Sequence, residues 1–307
     1  MDWRIPELSD LDVLQECSLN NEFFANNYGA VNSILYEKKF RSQISIEDGW
    51  IFERFHEGEN LCFSFPHNIK GDVSDVKEAV LKLKEDAFMS DVSIRFLNIS
   101  LDEKNILAEM FPSAKIISMP ESGDYIYRTE NLSKLPGKKL GRKRNHINQF
   151  KAKHPDCRFE RLDSENIRAV CELEDKWLSE TQSDSSSGDL LSDLEIERKI
   201  IFFAVENFEC LSKSCGMSGG ILFVSETPVA FCISSILSRS VTDIHFEKCI
   251  SDFARDGGYA VINNEFSKIA GTEFLNREED LGIEGLRKAK LSYYPEKVLE
   301  KFLVEIN

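Results

Sequence analysis

The chain has 307 residues, 42% of them hydrophobic and 22 of them Phe, which is ample for packed cores and excludes a disordered chain. This length favours two domains over one. A formal net charge of −15 excludes a generic DNA-binding protein.

The first half opens with a short helix after Ser9, with Leu11 and Leu14 on one face. Residues 50–56 and 61–65 alternate and read as two strands joined by the polar turn HEGEN. Asp72 and Ser74 are placed to cap a helix whose Val76, Ala79, Val80, Leu83 and Ala87 recur at helical spacing. A strand at 92–97, a helix around Ile106, Leu107 and Met110, and strands at 115–119 and 124–128 follow.

The second half repeats that order of elements. A helical segment runs through Leu140, Ile147 and Phe150, then a strand at 157–162 and a helix burying Ile167, Val170, Trp177 and Leu178. Residues 181–192 read as a mobile, Ser-rich loop. One long helix carries Leu194, Ile201, Ala204, Phe208 and Leu211, and a hairpin joins strands 219–224 and 228–237. Strand 241–247 leads into helix 248–256, which Gly257 and Gly258 end. A strand at 259–263, a helix at 264–270, a strand at 273–277 and a last strand near 299–306 complete the chain. Domains at 1–132 and 133–307 are expected, in an α+β fold with mixed, mostly antiparallel sheets.

Charge is concentrated in one place. Between Asn131 and Pro155 there are eight basic residues and no acidic one, while the remainder holds 30 basic against 53 acidic residues. Lys138, Lys139, Arg142, Lys143 and Arg144 are therefore either an anion-binding patch or a solvated helix face. The eight cysteines show no CxxC pair, so they read as reduced, mostly buried thiols. Five histidines without an HxH or HExxH pattern suggest no metal site. MDWRIPELSD has no basic region ahead of an apolar core, so it is not read as a signal peptide. The apolar runs are far short of the roughly 20 residues a membrane helix needs. A cytoplasmic protein with no integral membrane segment is expected, and nothing in the sequence sets its oligomeric state.

Most polar residues suited to chemistry fall between Ile244 and Pro295. His245 and Glu247 are two apart on a strand, so they should share a face, with His245 as a base near neutral pH. Equally, His245 could bond within the core while Glu247 pairs with Lys248. Asn264 reads as a helix N-cap and Glu265 as a first-turn acid. Asn276, Arg277, Glu279 and Asp280 end a strand and enter a loop, with Arg287 and Lys288 beyond it. These charges form either a surface ion-pair network or a ligand site.

The stretches GKKLGRKRNHINQF, HFEK, INNEF and NREEDLGIEGLRKAKLSYYPEK resemble the family related to the C-terminal domain of phosphatidylglycerol lysyltransferase. The resemblance covers roughly 134–297 and implies two GNAT-like acyltransferase domains in tandem. It implies acyl or aminoacyl transfer to an amine or hydroxyl, with aminoacyl-tRNA or acyl-CoA as donor and no other certain cofactor. His245, Asp280 and Arg277 would then be catalytic, with Glu247, Lys248, Asn264, Glu265, Asn276, Glu279, Arg287 and Lys288 binding substrate. The basic helix would meet tRNA or a CoA-type anion. One departure bears on the donor: the acetyl-CoA enzymes of this fold carry a glycine-rich turn after the fourth strand, and residues 245–251 contain no glycine. A noncatalytic module holding an anionic ligand or tRNA is the alternative reading.

Overall fold

A computed structural model describes residues 1–90, 92–184 and 188–306. In chain order the first elements are α1 (Leu11–Asn21), α2 (Asn32–Leu35), α3 (Glu37–Phe40), β1 (Gln43–Glu47), β2 (Trp50–Glu57), β3 (Asn60–Phe63) and β4 (His67–Asn68). Then come α4 (Val76–Met89), β5 (Ile94–Ile99), α5 (Leu101–Met110), β6 (Lys115–Ser118), β7 (Tyr125–Arg128), α6 (Thr129–Lys134) and α7 (Gly141–Lys153). They continue with β8 (Cys157–Arg161), α8 (Ala169–Asp184), α9 (Gly188–Glu206), α10 (Phe208–Cys215), β9 (Ser218–Val224), β10 (Thr227–Ile236) and β11 (Val241–Cys249). The last are α11 (Ser251–Asp256), α12 (Gly258–Ser267), β12 (Phe274–Asn276), α13 (Glu284–Leu291), β13 (Lys297–Val298) and β14 (Phe302–Ile306).

The chain divides into two compact units. Met1–Ile126, Leu237–Arg239 and Glu278–Asn307 make the first, and Tyr127–Ile236 with Ser240–Arg277 make the second. This division differs from a single cut at 132/133. The C-terminal stretch joins the first unit because β14 hydrogen-bonds between β5 and β6.

In the first unit the sheet order is β1-β2-β3-β5-β14-β6, with β4 on β2. It is antiparallel except where β3 meets β5. The apolar stripe of α4 (Val76, Ala79, Val80, Leu83, Ala87) is buried against Phe52, Phe63, Phe96 and Val304, as the spacing predicts. Each such Phe contributes roughly 2 kcal/mol by leaving water. The expected cap differs by a few positions: the N-cap is Asp75, while Asp72 accepts the backbone N–H of Ser74.

In the second unit β8, β9, β10 and β11 pair antiparallel, and β12 pairs parallel to β11. Strands β9 and β10 are buried along nearly their whole length because helices cover both faces, with α8 and α12 each packing on β10. Their near-continuous apolar sequences follow from that double burial. The class is thus α+β, with two mixed, mostly antiparallel sheets flanked by helices.

Four local expectations are corrected here. Residues 259–263 belong to helix α12, not a strand, and Asn264 therefore lies inside a helix and not at its N-cap. The expected loop at 181–192 is helical up to Asp184 and again from Gly188, and its centre, 185–187, lies outside the described residues. The single long helix is broken at Asn207, whose backbone leaves the helical range at φ −106°. Helix α13 was not expected, since Lys290 is its one buried residue.

Candidate functional site

A cluster of polar side chains in the second unit forms where β11, the end of β12, α7 and α12 meet. Gly257 (φ +106°) lets the chain turn from α11 into α12, and a Cβ there would sit 3.0 Å from the His146 carbonyl oxygen of α7. Only glycine accepts both that dihedral and that approach. Helix α12 is thereby pressed on α7.

Arg277, just past β12, donates from Nη2 to Glu247 Oε1 at 2.9 Å, and each side chain is only 12% exposed. Asn263 Nδ2 donates to the other Glu247 oxygen at 3.4 Å. The Arg277 guanidinium also stands over the Tyr127 ring, 5.7 Å from its centroid. Lys143 of α7 faces the same group. Burial first, then the positive charges of Arg277 and Arg142, push its ammonium down to about 8, with Glu247 opposing them. Asn263 is 1% exposed, and its Oδ1 has no hydrogen-bond partner among the described residues. The result is a largely buried cluster of a guanidinium, a carboxylate, an amide oxygen without a partner among the described residues, and an ammonium whose charge burial disfavours.

His245 does not join that cluster. The β10–β11 register pairs Ile233 with Phe246 and Ser234 with Ile244, so His245 is the extra residue of a bulge. The bulge breaks the two-residue alternation. Glu247, opposite Cys232, faces α12, whereas His245 bonds Ser235 (Nε2 to Oγ, 2.8 Å) on the other face. Its Nδ1 lies 3.6 Å from Asp243, and neither side chain meets solvent. The expectation that His245 and Glu247 share a face is thus corrected.

On the His245 side, α8 and α9 supply a second buried group. Lys248 Nζ bonds Glu197 at 2.5 Å and stands 3.5 Å from the centroid of the Trp177 ring. Glu174 beside it is wholly buried, and both of its carboxylate oxygens lack a hydrogen-bond partner among the described residues. Burial pushes its carboxyl up to about 7, despite the pull of Lys248. Sequence reading named Lys248 as a candidate and offered no signal for Glu174.

Glu180 of α8 has a different task. Its Oε2 accepts the backbone N–H of Ser251, the first residue of α11, at 2.8 Å. By the sequence resemblance, this helix start follows the turn that is glycine-rich in the acetyl-CoA enzymes and has no glycine here. Here the chain's own carboxylate takes one of the free N–H groups.

The remaining expected site residues are placed as follows. Asn264 is buried and donates to the Leu132 and Ser133 carbonyls, tying α12 to the end of α6. Glu265 bridges Lys151 (2.6 Å) and Lys268 (2.8 Å). Asn276 is wholly buried in β12. Lys138, Lys139, Arg142 and Arg144 are exposed, and Arg144 also donates to the Leu135 and Gly137 carbonyls.

Four expected site residues belong to the first unit. Asp280 accepts from Tyr125 Oη (2.6 Å), from Arg287 Nε (2.8 Å) and Nη2 (3.0 Å), and from the Gly282 N–H (2.9 Å). Arg287 foremost, against the cost of burial and with Tyr125 and Gly282 helping, holds its carboxyl down at about 2. A carboxylate so fully satisfied is a structural clamp and a poor proton acceptor. Glu279 accepts from Asn26 at 3.1 Å, and burial pushes its carboxyl upward. Lys288 makes an exposed pair with Glu284 on α13.

Among the described residues no helix is long and apolar enough to cross a membrane. The family described as "phosphatidylglycerol lysyltransferase, C-terminal" matches residues 32–305. The crystal structure of a conserved protein of unknown function from Bacteroides thetaiotaomicron is 31% identical and superposes with a TM-score of 0.89, covering 100% of each chain. L-PGS from Bacillus licheniformis is 13% identical with a TM-score of 0.67, over 98% of this chain and 92% of that one, a likeness of fold alone. An uncharacterised protein of Mycoplasmoides gallisepticum is 23% identical over 186 residues, which is 60% of this chain and 56% of that protein. The chain therefore spans little more than half the length of that relative.

Proposed function

We propose, from the premise that this chain belongs to the family of the phosphatidylglycerol lysyltransferase C-terminal domain, that it transfers an aminoacyl group from aminoacyl-tRNA to an amine or hydroxyl. The observation that carries the donor choice is the Glu180 carboxylate on the Ser251 N–H, at a turn that has no glycine. A second anion at that helix start would meet repulsion instead of an open N–H cradle. That weighs against acyl-CoA and for a donor held elsewhere.

In this reading the aminoacyl ester lies against the Glu247–Arg277–Lys143 wall. The acceptor attacks the ester carbonyl carbon, a C–N or C–O bond forms, and the tRNA 3′-terminal oxygen leaves. Arg277 stabilises the developing oxyanion, with Glu247 and Tyr127 fixing its orientation. Lys143 in its neutral form takes the proton of the incoming nucleophile. Glu247 thus serves as a positioning residue, and His245 supports β11 from the opposite face. The exposed Lys138, Lys139 and Arg142 give the tRNA phosphates a salt-dependent landing surface.

The test is an assay of the purified chain with radiolabelled aminoacyl-tRNA and, separately, labelled acetyl-CoA, against a panel of amine- and hydroxyl-bearing acceptors. Label should move from the tRNA ester and not from CoA. Consumption of acetyl-CoA alone overturns the donor assignment, and tRNA binding with no turnover on any acceptor supports a binding module instead.

A further inference from the structure

The first unit contains a cavity of about 590 Å³, a volume within the range of small-molecule sites. Nothing in the aminoacyl-transfer reading uses it. Its lining combines an aromatic wall with a satisfied polar floor and an acidic rim.

Glu103 forms the floor. It accepts from Tyr28 Oη at 2.7 Å, from the Ser100 N–H at 2.7 Å, and lies 2.9 Å from His67 Nε2. Burial pulls its carboxyl upward, but the His67 hydrogen bond and charge, with Tyr28 and Ser100, more than offset this and hold it below the ordinary value. The His67 ring is boxed by Phe23 and Tyr28, each with its centroid 4.5 Å away. Five aromatic residues (Phe23, Phe24, Tyr28, Trp50 and Phe65) line the cavity. One of their faces already attracts a cation: Lys297 Nζ lies 3.6 Å from the centroid of the Phe24 ring.

The lining charges are unequal. Its basic side chains are His67, held by Glu103, and Lys301, which is 2% exposed and bound to Asp124 (2.7 Å) and Asn26 (2.6 Å). Asp102 and Glu300 are exposed at the rim and have no basic partner among the described residues. An anion entering would meet two carboxylates and the negative faces of the rings, while a cation would meet attraction from both. The apolar rim residues Val73, Leu101 and Val298 would cover a hydrocarbon body.

We propose that this cavity is a second ligand site, and that it takes a small organic cation, an ammonium group on an apolar chain.

The test is calorimetric titration of the full chain with hexyltrimethylammonium, hexanoate and 1-hexanol, which share a chain and differ in head. The cation should bind saturably with one equivalent, about tenfold more tightly than either comparator. Asp102→Asn with Glu300→Gln should reduce that preference to about twofold. Leu101→Trp, at an exposed rim position, should abolish binding of all three at an unchanged melting temperature. If that variant is unfolded, Val73→Trp serves in its place. Equal affinity for the three probes, tighter hexanoate, no saturable binding, or binding that survives the rim-blocking variant each overturns the proposal.

Discussion

Arg277 and Glu247 meet at 2.9 Å with each side chain 12% exposed, one from the end of β12 and the other from β11. A pair so nearly enclosed makes each residue dependent on the other. Arg277→Ala leaves the carboxylate without its cation and should cost about 3 kcal/mol of stability, read by urea denaturation. The double variant Glu247→Gln, Arg277→Met removes both charges at similar volume and should recover most of that loss. A double variant as unstable as the single one would show that packing, and not charge, was lost.

Glu174 sets a pH dependence of stability. Its carboxyl titrates at about 7 in the fold against 4.5 when unfolded, because burial disfavours the charge. Between those values the folded state binds more protons than the unfolded one, so stability is full below about 4.5 and falls as pH rises towards 7. Glu53 in the first unit, also pushed up to about 7 by burial, adds a slope of the same sign. Glu174→Gln should therefore equal the wild type near pH 4.5 and exceed it at pH 8 by up to about 3 kcal/mol. A difference independent of pH would contradict this account.

Lys143 carries the opposite sign. Its folded value of about 8 lies below the ordinary 10.5, so the folded state sheds a proton first and gains stability as pH rises between the two. If it is the proton acceptor, the transfer rate should rise about tenfold per pH unit up to about 8 and then level. Lys143→Met should abolish that limb, while Lys143→Arg should keep tRNA affinity and lose the rate. A pH profile unchanged in Lys143→Met would move the proton elsewhere.

Asp280 gives an acid limb. Held at about 2 by Arg287, it stabilises the fold at every pH above the ordinary carboxylate value, and that stability is lost as pH falls from about 4 to 2. Asp280→Asn should lower the melting temperature at pH 7 and bring it to the wild-type value near pH 2. Equal melting temperatures at pH 7 would show that the clamp contributes nothing.

Much of this was legible beforehand. The stripe of α4, the β9–β10 hairpin and the basic helix α7 follow from spacing and turn chemistry. The reading failed where tertiary pairing decides. YAVIN reads as a strand because it is a short apolar run, yet in α12 Ala260, Val261, Ile262, Asn263 and Asn264 are all buried as helix. The His245 bulge depends on the β10 register, which no local pattern reveals. Glu174 was hidden for a related reason: an acid in a helix is ordinarily solvated, and only the packing of α8 on the sheet encloses it. Arg277 and Glu247 were both named as site residues, but their direct pairing rests on the parallel register of β11 and β12.

The most direct measurement is the single-turnover rate at which label leaves aminoacyl-tRNA for an acceptor, in wild type and in the folded Glu247→Gln, Arg277→Met variant. Transfer by the wild type, with a loss of at least about 100-fold in the variant at an unchanged circular dichroism spectrum, is the predicted result. Transfer at the same rate in both proteins would contradict the site, and wild-type transfer from acetyl-CoA in place of aminoacyl-tRNA would contradict the reaction.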